Sequence, residues 1–148
     1  MYKLMIVDDE REINTGFAQF FPWRDIGFEV VAQKQDAHSA LAYIKANDID
    51  VIVSDIVMPG MNGLDLAKAI SEMDLEPRPH VLIFSAYSEF SYAQRAMQYK
   101  CTEYILKSAE YDALIDIFTR LKKTIDEERD IKTDLLSLEL ELPEKVFC

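Results

Sequence analysis

Five short runs of the chain, residues 4–7, 28–32, 51–54, 81–85 and 103–106, are dense in Val, Ile, Leu and Phe. Four of them are apolar at nearly every position. A half-buried strand alternates apolar and polar residues, whereas a strand covered on both faces stays apolar throughout. The stretches between them, residues 10–20, 37–46, 63–73, 88–99 and 111–128, carry helical spacing instead. In the second, Ala40, Leu41, Ile44 and Lys45 set a buried stripe beside a wet one. Asn62 before the third helix and Ser88 before the fourth are the predicted N-caps. Strict alternation of strand and helix, with crossovers this short, predicts an α/β fold: a doubly wound, five-stranded parallel sheet with five helices.

Sheets of this kind bind ligands beyond the carboxyl ends of their strands. The first predicted strand is followed by Asp8, Asp9 and Glu10; the third ends at Asp55, the fourth at Ser85 and the fifth at Lys107. Three carboxylates converging on one edge repel each other unless a cation neutralises them. An oxygen-only donor set without His or Cys suits Mg²⁺. A lysine ammonium and a serine hydroxyl beside such a centre are the equipment of phosphoryl transfer, with a carboxylate as nucleophile and an aspartyl phosphate as product. The first strand–helix turn has no glycine, which excludes a cradle for a nucleotide or flavin phosphate.

Composition narrows the picture. The 148 residues are 49% hydrophobic and 29% charged, which excludes wholesale disorder. A formal net charge of −11 makes this segment a poor nucleic-acid binder. The apolar run at the N-terminus stops at Asp8, so neither a signal peptide nor a membrane span is predicted. Cys101 and Cys148 cannot form a disulfide framework, and a cytoplasmic location is expected. His38 and His80 have no ligand-spaced partners. Trp23 is expected to pack a loop, and Arg120, Lys122 and Lys123 to form a wet helix face.

Val-Asp-Asp-Glu at 7–10, Ser-Asp-Ile-Val-Met-Pro-Gly-Met-Asn-Gly at 54–63, Phe-Ser-Ala-Tyr at 84–87 and Tyr-Ile-Leu-Lys at 104–107 together resemble the receiver domain of bacterial two-component response regulators. The stretches 21–28 and 87–93 are similar to receivers that precede an AraC-type helix-turn-helix output domain. The resemblance implies a flavodoxin-like receiver with strand order 2-1-3-4-5. It implies Asp55 as phosphoacceptor, with Asp9, Asp55 and the Val57 carbonyl as Mg²⁺ ligands and Asp8 acting through water. Lys107 and Ser85 would contact the phosphoryl group. Tyr104 would turn inward when Ser85 moves, switching the face made by the fourth helix, fifth strand and fifth helix. The phosphoryl donor would be a sensor histidine kinase. Val57 and Tyr87, flanking the approach of water, offer no carbonyl or carboxylate on their side chains, so autodephosphorylation is expected to be slow.

Such a chain is a signalling switch rather than a turnover enzyme. Residues 1–128 are expected to form the receiver. Residues 129–148 would be a linker, or an extended C-terminal helix or tail, with the output domain of a longer transcription regulator lying outside this chain. The alternatives are a stand-alone phosphorelay receiver and a Mg²⁺-dependent hydrolase with an aspartyl nucleophile. The hydrolase needs a second acid where Val57 stands. Two positions depart from the family pattern: Ser108 replaces the proline after the lysine, and Lys100 replaces a helix-ending glycine. Ser108 becomes a candidate N-cap for the fifth helix, and the isomer of the 107–108 bond stays open. In the tail, Leu114, Ile117, Leu121, Ile131, Leu135, Leu138 and Leu142 nearly keep a heptad, the spacing of a signalling helix or homodimer seam, whereas 136–142 alternate as a strand would.

Overall fold

A computed structural model describes residues 1–141. Its strands are β1 (Tyr2–Val7), β2 (Phe28–Lys34), β3 (Val51–Ser54), β4 (His80–Ser85) and β5 (Glu103–Leu106). All neighbouring pairs are parallel and the order is β2-β1-β3-β4-β5, the doubly wound arrangement predicted. The helices among the described residues are α1 (Arg11–Phe20), α2 (Trp23–Ile26), α3 (Ala37–Ala46), α4 (Gly63–Glu72), α5 (Phe90–Gln98) and α6 (Tyr111–Glu141). The contacts divide the chain into two compact units, Met1–Ala109 and a second beginning at Glu110.

In the first unit, Met5, Val7, Ile52 and Ile83 of the central strands pack with Ala40, Leu64, Leu66 and Ile70 into one core. Their freedom from polar side chains is what lets the strands be covered on both faces. β2 runs two residues further than its apolar pattern. Gln33 and Lys34 pair with Ile6 and Val7 through backbone alone, which an edge strand allows. The one-turn helix α2 is the element that hydrophobic pattern does not foretell. It is held by Trp23, whose ring lies against Phe17, Phe21 and Phe28 and whose Nε1 donates to the Phe17 carbonyl at 2.8 Å. With α2 inserted, the fourth and fifth helices of the sequence pattern become α5 and α6.

Helix ends follow local chemistry. The Asn62 side chain accepts from Asp65 N–H at 2.8 Å, and Asp65 accepts in return from Asn62 N–H, a reciprocal capping box. Ser88 does not cap α5, which starts at Phe90 with Glu89 before it. Ser108 likewise does not cap α6, because the chain first makes a turn closed by Ala109 N–H on the Leu106 carbonyl. The Lys107–Ser108 peptide is trans. α5 closes on Lys100, at φ 62°, with Lys100 N–H on Met97 and Cys101 N–H on Ala96. That is a Schellman cap built on lysine instead of glycine.

In the second unit, α6 buries Leu114, Phe118, Leu121 and Ile125, a 3.6-residue stripe. Of the heptad positions on this stretch, Leu114 and Leu121 are buried, while Ile117 is half-buried and Phe118 takes the buried place beside it. Residues 131–141 are helical, which settles helix over strand as far as Glu141, with Ile131, Leu135, Leu136 and Leu138 exposed. Leu142 lies outside the described residues. Among the described residues, no helix is long and apolar enough to cross a membrane.

Candidate functional site

Strand register builds the site. Val7 is level with Ser54, and Ser54 with Ile83, so the next residues, Asp8 and Asp55, emerge side by side. Asp55 N–H continues the ladder onto the Val7 carbonyl at 2.9 Å. Lys107 N–H reaches the Ser85 carbonyl at 2.8 Å, bringing the end of β5 to the same edge. Gly63 keeps Asp55 in place from the other side. A Cβ on Gly63 would lie 1.9 Å from the Asp55 carbonyl oxygen, so only glycine lets α4 start there. The buried Ser54 hydroxyl donates to the same carbonyl at 2.9 Å.

At the centre, Lys107 Nζ donates to Asp8 Oδ2 at 2.9 Å and to Asp55 Oδ2 at 3.1 Å. Glu10 lies at the limit of its reach, 4.0 Å away. The remaining oxygens are held by backbone: Glu10 N–H donates to Asp8 Oδ1 and Ile56 N–H to Asp55 Oδ1. Asp8 and Asp55 are buried, while Asp9 is less so. One carboxylate oxygen each of Asp8, Asp9 and Asp55 lies within 4.8 Å of the other two. A single ammonium among these carboxylates leaves net negative charge in a confined space, and the donors are all oxygen. That chemistry fits a hard divalent cation such as Mg²⁺.

Burial pushes the Asp55 carboxyl above the usual carboxylate range; the charge and hydrogen bond of Lys107 pull the other way without prevailing, and Asp8 adds to the rise. For Lys107, burial opposes the charged form, but the hydrogen bond to Asp8 and the charges of Asp8 and Asp55 outweigh it, leaving the ammonium above its ordinary value. The carboxylate is thereby made more basic while the ammonium beside it stays protonated.

Ser85 is fully buried, and its Oγ accepts from Tyr87 N–H at 3.1 Å. The Tyr104 hydroxyl donates to the Tyr87 carbonyl. The two residues expected to act as the switch are therefore joined through the backbone of Tyr87. Val57 and Tyr87 stand about half exposed, at 48% and 46%. Asn14 was not marked by the sequence pattern, yet its amide donates to the Asp8 carbonyl at 3.1 Å and to the Lys34 carbonyl at 2.9 Å. Its signal is positional: it shares a helical stripe with Phe17 and Phe21, where an apolar residue is the default. Cys101 is buried, and desolvation pushes its thiol up to about 12, which leaves it inert. His80 meets Thr102 Oγ1 through Nδ1 at 2.8 Å, away from the acidic edge.

A sheet in this order, with acidic strand ends facing a lysine, defines a doubly wound α/β domain with a charged site at the carboxyl edge of its strands. The model of the response regulator receiver domain matches residues 4–119, and the chain belongs to that family. It is similar to the transcriptional regulatory protein HptR of Staphylococcus aureus, at 34% identity over 129 residues, covering 87% of this chain and 50% of HptR. The chain thus spans about half the length of that relative. Among solved structures it resembles the receiver domain of AraT, a response regulator from Geobacillus stearothermophilus, at 33% identity with a TM-score of 0.77, covering 86% of this chain and 98% of that one. It also resembles the response regulator TrrA of Thermotoga maritima, solved with Mg²⁺ and BeF, at 25% identity with a TM-score of 0.69, covering 82% and 99%.

Proposed function

We propose that this chain is the phosphoacceptor of a two-component pathway, taking a phosphoryl group from the histidine of a cytoplasmic sensor kinase domain onto Asp55. The observation that carries the reading is the Lys107 ammonium bridging Asp8 and Asp55, with the Asp9 carboxylate on the same edge. An Asp55 oxygen attacks phosphorus, the bond from phosphorus to the histidine nitrogen breaks, and an acyl phosphate forms. Lys107, already 3.1 Å from Asp55, neutralises the charge spread over the phosphoryl oxygens. Mg²⁺, held by Asp9, Asp55 and the Val57 carbonyl with Asp8 acting through water, would supply the second positive charge for the equatorial oxygens. TrrA, solved with Mg²⁺ and BeF, supports that cation for this chain.

The Ser85 hydroxyl then turns from Tyr87 N–H toward the phosphoryl group, and Tyr104 follows through its bond to the Tyr87 carbonyl. The state change is read on the α5, β5 and α6 elements. We place 1–128 as the receiver and 129–148 as the linker toward an output domain, because HptR is a transcriptional regulator about twice as long as the match. A hydrolase is disfavoured by Val57, two residues past the nucleophile, which has no acid to offer. Incubation with acetyl phosphate and Mg²⁺, followed by intact mass, tests the reading. One added phosphoryl group is expected in the parent protein and none in Asp55→Asn; equal labelling of both removes Asp55 from its role.

A further inference from the structure

Asn14 is 2% exposed, and it carries a cost: its Oδ1 is buried with no hydrogen-bond partner. Buried polar atoms without partners are rare, because burial strips them of water and returns nothing. On the stripe shared with Phe17 and Phe21, an aliphatic residue would carry no such cost. The other half of the amide accounts for its presence. Nδ2 donates to two backbone carbonyls, that of Asp8, at the first residue past β1, and that of Lys34, at the last residue of β2. Asp8 N–H also lands on the Lys34 carbonyl, at 3.0 Å, and Asn14 N–H on the Glu10 carbonyl, at 3.0 Å. The acidic turn 8–10 is therefore clamped at its start by β2, at its end by the first turn of α1, and between them by one side chain.

What the clamp opposes is electrostatic. Asp8, Asp9 and Asp55 hold oxygens within 4.8 Å of one another. The Asp8 carboxylate is tied by Lys107 and by Glu10 N–H. For the Asp9 carboxylate, the described residues show neither a hydrogen bond nor an ion pair. Its position is set by backbone alone, at a turn with no glycine and no proline. Without a cation, repulsion between Asp9 and its acidic neighbours works to open this turn, and Lys107 offsets it only at Asp8 and Asp55. Backbone groups that hold ligands in place before the ion arrives lower the cost of binding it, as outer-shell contacts do at metal centres.

We infer that Asn14 is a positioning residue for the cation site: its amide fixes the Asp8–Asp9 turn against carboxylate repulsion, so that the divalent ion meets a preformed set of oxygens. The inference rests on the phosphoacceptor reading and adds to it a residue that touches neither ion nor phosphoryl group.

The test is a Mg²⁺ titration of the unphosphorylated protein, followed by NMR through the backbone amides of Glu10 and Ile56. The parent protein is compared with Asn14→Leu, Asn14→Ala and, as a control, Ile70→Val, a core change in α4 remote from the turn. Melting temperatures are measured on all four. Roughly tenfold weaker Mg²⁺ binding is expected in the Asn14 variants, a loss of the size that outer-shell changes produce. Ile70→Val should bind as the parent does, even if it melts earlier. In acetyl phosphate labelling, the Mg²⁺ midpoint should move by the same factor while the rate at saturating Mg²⁺ stays near that of the parent. A merely structural residue would shift the melting temperature and leave the midpoint in place. An unchanged Mg²⁺ affinity in either folded Asn14 variant overturns the inference and leaves the phosphoacceptor reading intact. If the parent protein itself shows no saturable response to Mg²⁺, the cation reading falls and the inference falls with it.

Discussion

Asp55 shows how a carboxylate is held against its own preference. Its carboxyl is raised mainly by burial, and the charge of Lys107 does not cancel that effect. A folded-state value above the unfolded one means the fold prefers the protonated acid. The stability so gained is complete below the unfolded value and is lost as pH rises through the folded one, so at neutral pH the ionised group works against folding. Asp55→Asn keeps the shape and removes the charge, and should melt higher than the parent protein at pH 7 by calorimetry; a lower melting temperature would show that the Lys107 pair outweighs burial. Lys107 runs the other way: its contribution is complete below pH 10.5 and lost only as pH climbs through its raised value. In the metal-free protein, an NMR titration of the Asp55 carboxyl should accordingly find it above the ordinary aspartate range while the ammonium stays intact. Val57 and Tyr87 are about half exposed, and under the proposed function they would set the lifetime of the product. Neither can orient a water through a side-chain carbonyl or carboxylate, so Val57→Asn with Tyr87→Glu should shorten the half-life of the label severalfold in a chase monitored by intact mass, and an unchanged half-life would count against the shielding role.

At the scale of elements, the strands were legible because parallel strands covered on both faces must be apolar, and four of the five runs are. The acidic edge was legible for a related reason: once strands are placed, whatever follows them must converge, and Asp8, Asp9, Asp55 and Lys107 follow them. α2 was not legible, since it exists through the packing of Trp23 on three aromatic rings rather than through any periodicity. Asn14 and Ser54 escaped for the same reason, as their bonds run to carbonyls that only the tertiary fold brings near. Local chemistry gave a mixed result at helix ends: Asn62 caps α4 as its position suggests, while Ser88 and Ser108 fall one and two residues outside the caps of α5 and α6. Lys100 sits at φ 62°, where a side chain is strained and glycine is not. Lys100→Gly should therefore raise stability by about 0.5–1 kcal/mol in urea unfolding. Gly63→Ala should do the opposite and strongly, because its methyl would collide with the Asp55 carbonyl.

At the scale of the whole molecule, the acidity of the chain and that of its site run in the same direction. The net charge of −11 surrounds an edge where one half-buried lysine is the positive group among carboxylates. A surface of that sign repels a phosphate backbone and leaves a small phosphodonor to reach the edge with its own cation. Duplex DNA should consequently show no retardation with this chain at moderate salt, labelled or not, although relatives such as HptR are transcriptional regulators. The claim on which everything else depends is chemical and local: an acyl phosphate on one residue. Borohydride reduces an acyl phosphate to the alcohol and so converts a phosphorylated aspartate to homoserine. Labelling with acetyl phosphate and Mg²⁺, followed by reduction and peptide mass spectrometry, should find homoserine at position 55 alone, whereas homoserine at 8, 9 or 65, or an unaltered Asp55 in labelled protein, would contradict the account.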